Sequence, residues 1–207
     1  MERINYKKIE ASFYLRTNVL DIAAALPGKL LVTRFAGKET IGRIVEVEAY
    51  NGIVDKASHA FGDRRTRRTE TMYAAGGIAY VYLCYGIHHL FNLVTNVQGI
   101  PHAILIRGIE PVKGMKTILK RRNKEKPDYS LGRGPGNVSK SLGISTKHNG
   151  CSLLNNNIFI AADGYRIPPD ALGTSARIGV DYAGADALLP YRFYIKGNPY
   201  VSGKNNK

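Results

Sequence analysis

Between residues 29 and 109 the chain carries five β-rich segments, and most of the connections between them have hairpin length. Residues 29–35 and 40–50 flank Ala36-Gly37-Lys38-Glu39, a hairpin composition, while 78–85, 90–96 and 102–109 are punctuated by Gly86, Gly99 and Pro101. Strands joined by hairpins pair antiparallel, which excludes a fold of alternating βαβ units. Helical patterns lie outside this block. Residues 12–26 read as a helix capped by Thr17 or Asn18 and stopped by Pro27-Gly28; residues 112–122 have helical spacing, and a short helix follows Gly134-Pro135-Gly136. Residues 123–150 otherwise read as loop, 158–162 and 191–196 as late strands, and 197–207 as a fraying end. The expected fold is α+β: a single domain over 1–207, with a curved, open barrel-like antiparallel sheet, helices packed around it, a protruding β-hairpin, and about ten N-terminal and five C-terminal residues frayed.

Charge narrows the partners. Thirty Lys and Arg stand against 16 Asp and Glu, a formal +14, and that self-repulsion suits a polyanion, nucleic acid first. The longest apolar-looking run, 77–87, is far short of the roughly 20 residues a spanning helix needs, and nothing at the start resembles a secretory signal, so a cytoplasmic, nucleoid-associated protein is expected. Cys84 and Cys151 are far apart without Cys-x-x-Cys spacing, which points away from a disulfide framework and from zinc.

Within the strand Arg43-Ile44-Val45-Glu46-Val47-Glu48-Ala49-Tyr50 the period of two puts Val45, Val47 and Ala49 on one side and Glu46, Glu48 and Tyr50 on the other. Such a side is either a solvated outer face, the commoner case in an antiparallel sheet, or a place where a carboxylate does acid–base work; in a chain this basic, two acids beside an aromatic are easier to understand if one of them does that work, and the pattern alone leaves both open. Tyr80, Tyr82 and Cys84 share one face of the next strand. Tyr85 stands before Gly86 at a hairpin tip, where it can be a core aromatic or a wedge in a duplex. Arg64, Arg65, Arg67 and Arg68, four guanidinium groups in five positions, suit phosphate contacts or a solvated loop. A second basic run spans Lys116 to Lys126; His59 is a lone histidine; Asn92 and Arg107 interrupt apolar strands and need partners if buried.

Taken in order, Glu46-Val47-Glu48-Ala49-Tyr50, Ala57-Ser58-His59, Tyr80-Val81-Tyr82-Leu83-Cys84-Tyr85-Gly86 and Leu105-Ile106-Arg107-Gly108-Ile109-Glu110-Pro111 resemble the alkyladenine (3-methyladenine) DNA glycosylase family, bacterial type. The late stretches Ala176-Arg177-Ile178-Gly179-Val180 and Tyr191-Arg192-Phe193-Tyr194-Ile195-Lys196-Gly197 are similar too. The resemblance implies a monofunctional base-excision enzyme that flips alkylated or deaminated purines from duplex DNA and hydrolyses the N-glycosidic bond without cofactor or metal; a monomer, the simplest footprint for scanning DNA, is expected. It implies Glu48 as the base that activates water, Arg107 as a residue that helps to hold that water or the charge near it, and Tyr85 as the intercalating residue. Tyr50, His59 and Tyr82 line the base pocket, and Asn92 rejects the amine of normal guanine. On this reading Tyr50 and Tyr82 attract a cationic base through their faces, and Arg64, Arg65, Arg67 and Arg68 hold phosphates. Two departures stand out: Asn137-Val138 where a Lys-Leu pair is expected after Gly136, and Tyr200 in place of tryptophan. The rival reading is a non-catalytic RNA- or ribosome-binding domain whose tyrosines stack single-stranded bases.

Overall fold

In the computed structural model, which describes residues 4–203, the chain runs β1 (Lys7–Lys8), α1 (Ala11–Tyr14), α2 (Val19–Ala25), β2 (Leu30–Phe35) and β3 (Lys38–Tyr50). It continues through β4 (Ala79–Cys84), β5 (His88–Thr95), β6 (His102–Lys113), α3 (Met115–Arg122), α4 (Pro135–Leu142), β7 (Ile158–Ala162), β8 (Leu172–Ser175) and β9 (Arg192–Ile195), with short 3-10 turns between. The strands form one antiparallel sheet, ordered β1-β7-β2-β3-β6-β5-β4, that does not close; β9 adds to β3 and carries β8. This is an α+β single domain, as the hairpin spacing implies.

β3 organises the site. Its first half pairs with β2 across a two-residue turn, Ala36 and Gly37, both at positive φ as a type I′ hairpin requires. Its second half pairs with β9, Glu48 opposite Arg192, and its other edge follows β6 along its length. Register shifts between β3 and β6 on both sides of Glu46 bend the strands there. Val47 and Ala49 face the main core with Phe91, Ile104 and Ile106, whereas Val45, at the bulge, packs in a separate cluster with Tyr194 and Val201.

Several boundaries differ from the sequence expectation, each for a local reason. The helix expected over 12–26 is two helices, because the Tyr14 carbonyl accepts from Asn96 N at 2.7 Å and Asn18 Oδ1 then caps α2 by accepting from Leu20 N at 2.9 Å. The helix expected from Val112 starts at Met115: Pro111 and Lys113 still pair with β3, and Gly114, at φ 85°, turns the chain. The N-terminal fraying does not extend over residues 4–10, since Lys7 and Lys8 pair with Ala162 and Ala161 and Tyr6 donates to Glu39 Oε2 at 2.9 Å. Nor does the chain fray from Gly197, because Val201 is buried and Ser202 is bonded to Glu46. What was expected of residues 1–3 and 204–207 lies outside the described residues. Among the described residues no helix is long and apolar enough to cross a membrane, and no group of three or more His, Cys, Asp or Glu could hold a metal ion.

Candidate active site

Glu46, Glu48 and Tyr50 do share one side of β3, but that side is not solvated: both carboxylates have no exposed surface. Burying two anions demands donors, and the donors differ. Glu46 Oε1 accepts from Arg192 Nε at 2.7 Å and Arg107 Nε at 3.2 Å, and Oε2 accepts from Ser202 N at 2.8 Å. The Ser202 hydroxyl, 2.8 and 2.9 Å from the two oxygens, completes the set, and Arg107 Nη2 donates to it at 3.2 Å. Gly108 permits this approach, since a Cβ there would lie 3.0 Å from both the Glu46 side chain and the Tyr200 carbonyl. Glu46 is a structural anion that clamps Arg107 and Arg192 under the C-terminal turn.

Glu48 is less committed. Oε1 accepts from Ile178 N at 2.7 Å, and Oε2 accepts from the Tyr50 hydroxyl at 3.0 Å and Arg107 Nη1 at 3.3 Å. A carboxylate offers about four acceptor positions. Among the described residues three donors use it, which leaves one position, on Oε1. Burial drives the Glu48 carboxyl above its ordinary range, with Arg107, the Ile178 amide and Tyr50 opposing that rise only in part. The three donors, Tyr50, Arg107 and Ile178, all line a cleft of about 570 Å³ that also reaches Tyr82, Tyr85 and the Gly134-Pro135-Gly136 turn at the start of α4. Glu48 sits directly behind the wall of this cleft.

Tyr82, which lines the cleft, packs on buried Tyr80 with ring centroids 5.4 Å apart, and His59 meets Tyr82 edge-on at 4.7 Å. An inner pocket of about 30 Å³ shares Tyr50, His59, Tyr82 and Tyr182 with the cleft and reaches Tyr80 and Asn92. Asn92 lines this inner pocket, its amide nitrogen held by the carbonyls of Tyr80 at 3.1 Å and Leu90 at 3.4 Å. His59 Nε2 lies 3.2 Å from Arg68 Nη2, which can only donate, so the imidazole proton sits on Nδ1 and is directed at the Tyr80 hydroxyl, 2.9 Å away. Burial, then the charges of Arg68 and Arg64, lower the His59 pKa to about 4 and keep the ring neutral.

Tyr85 is 91% exposed at the β4–β5 tip, with Ile87 beside it 71% exposed, an apolar point aimed away from the core. Its φ of 49° is unusual for a tyrosine. The arginine segment is shaped by buried Thr69, whose hydroxyl bonds the Arg64 carbonyl at 2.8 Å. All four arginines are exposed, but Arg65 lies over Tyr73 at 4.1 Å and Arg68 over Tyr82 at 4.7 Å, so Arg68 points into the cleft.

Two participants, Arg177 and Tyr182, carry no role in the sequence reading, and Glu46, read there only as one of a pair of acids, takes a structural one. Arg177 is buried, pairs with Asp55 through two contacts of 2.5 and 2.9 Å, and lies 4.9 Å over the Tyr50 ring. Tyr182 lines the cleft and bonds the Ala57 carbonyl at 3.1 Å. Arg177 lies in a stretch that carries the family resemblance, but its partner is 122 residues away.

A family model for methylpurine-DNA glycosylase matches residues 12–199. The chain belongs to the methylpurine-DNA glycosylase family. Relatives whose names describe a 3-methyladenine DNA glycosylase include one from Chlamydia felis, 45% identical over 89% of this chain and 94% of its own. One from Alkaliphilus oremlandii is 41% identical over 95% of this chain and 100% of its own, and one from Bacillus cereus is 43% identical over 93% and 98%. The buried acid, the aromatic lining and the arginine segment therefore sit in the frame of a DNA repair glycosylase.

Proposed function

We propose that this glycosylase extrudes damaged purines from duplex DNA into the cleft and hydrolyses their bond to deoxyribose with a water activated by Glu48. The observation that carries this reading is Glu48 itself: a fully buried carboxylate behind the cleft wall, with an acceptor position left on Oε1. A carboxylate costly to bury and raised in pKa is suited to take a proton from water and to face the positive charge that develops on the sugar. The water proton passes to Glu48, the water oxygen bonds the anomeric carbon, and the purine leaves with the electrons of the glycosidic bond. Arg107 fixes the carboxylate, itself fixed by Glu46.

Tyr85 fills the gap left in the base stack, offsetting part of the few kcal/mol of extrusion. Arg64, Arg65 and Arg67 hold phosphates, and the neutral His59, Tyr50 and Tyr82 bound the base. Asn92, its nitrogen held by two carbonyls, is a rigid floor against bulk at the purine amine. The protein works as a monomer. The test is release of free base from duplexes that each carry one defined lesion, beside an undamaged control. Release from a lesion duplex alone supports the reading, and tight binding without release from any duplex supports the rival nucleic-acid binder.

A further inference from the structure

The rings expected to embrace a cationic base already carry cations. Arg177 covers Tyr50 at 4.9 Å and cannot leave, because Asp55 holds it and its guanidinium also donates to the Ala49 and Asp186 carbonyls. Arg68 covers Tyr82 at 4.7 Å and touches His59. The buried charges around the cleft cancel one for one: Arg107, Arg177 and Arg192 against Glu46, Glu48 and Asp55. Among the described residues no carboxylate forms an ion pair with Arg68, so its charge at the mouth of the slot is uncompensated, with Arg64 farther out adding to it.

From this arrangement we propose that Arg68 sets the lesion class, favouring uncharged purines with an exocyclic oxygen, such as deaminated adenine, over purines made cationic by ring alkylation. A guanidinium can stack on a neutral purine and donate to its oxygen, whereas beside a cationic purine it is a like charge in a partly desolvated slot. The proposal rests on the glycosylase reading. A phosphate contact alone, the role the arginine segment suggests, would treat both lesion classes alike.

The experiment compares kcat/KM for base release from duplexes carrying hypoxanthine or 7-methylguanine, for the wild-type protein, Arg68→Gln and Arg68→Lys. The neutral-to-cationic ratio should fall about fivefold in Arg68→Gln, equivalent to about 1 kcal/mol, and stay within about twofold of wild type in Arg68→Lys. Both rates falling together with the ratio unchanged overturns the proposal and leaves Arg68 a backbone contact. A second readout needs no turnover: in the DNA-free protein, the His59 imidazole titration followed by NMR should move to higher pH in Arg68→Gln, and an unmoved midpoint overturns the placement of Arg68 on the slot. Base release from neither duplex by the wild type overturns the glycosylase reading itself, whatever the titration shows.

Discussion

Replacing Glu46 by Gln tests how the two buried acids divide their work. The side chain keeps its size, but one oxygen becomes an NH2 group that can only donate. In either orientation it meets donors: at Oε1 the Nε–H groups of Arg192 and Arg107, at Oε2 the Ser202 amide. The substitution therefore leaves two buried guanidinium groups sharing one anion, Glu48, which touches only Arg107. Removing one partner of a buried pair costs about 3–5 kcal/mol. At about 2–4 °C per kcal/mol for a chain of this size, the melting temperature should fall by about 6–20 °C. Circular dichroism on heating and urea unfolding read the loss. The pH–rate profile reads the coupling: Glu46 helps to raise the Glu48 pKa, so its neutralisation should move the acidic limb to lower pH in the protein that remains folded. A loss below about 1 kcal/mol, or a limb that moves upward, refutes this division of roles.

Tyr85→Gly should weaken lesion-duplex binding by about 5–150-fold, the ~1–3 kcal/mol of a base–aromatic stack, without lowering stability, because glycine accepts the positive φ at no steric cost; unchanged duplex binding would remove the wedge. Arg67→Ala should reduce the slope of log binding constant against log salt by about 1, read from titrations at several salt concentrations, and an unchanged slope takes Arg67 off the phosphates. In the wild type, base release should rise with pH through a midpoint above the ordinary carboxylate range, because Glu48 must be ionised to act and burial raises its pKa; a midpoint at or below that range contradicts it. For Glu39, burial alone would raise the pKa, but Lys113, Arg34 and Tyr6 together hold it at about 2. The stability this contributes is present above the unfolded value of 4.5 and is lost as pH falls through about 2, so acid unfolding of Glu39→Gln should be flatter in that window.

Hairpin spacing made the sheet legible, because a period of two with Gly at the turns specifies both the strands and their antiparallel pairing. β1 and β8 were not legible: Lys7-Lys8 and Leu172–Ser175 are too short to show a period, and their pairing comes from neighbours distant in sequence. The same period put Glu48 and Tyr50 on one side, where the structure finds them bonded at 3.0 Å. Periodicity reports which face a residue takes, not whether that face is covered. The burial of Glu46 and Glu48 depends on Arg192, Ser202 and Ile178, which arrive from 130 to 156 residues away. The resident guanidinium groups over Tyr50 and Tyr82 were equally hidden, since an arginine run in sequence does not say which member folds back onto a ring.

The central claim is that Glu48 does chemistry rather than binding, and the most direct test measures both in one sample: Glu48→Gln with a duplex carrying a single damaged purine. Affinity for the lesion duplex should stay near that of the wild type while release of the free base is almost abolished. Undiminished release from the variant would contradict the account.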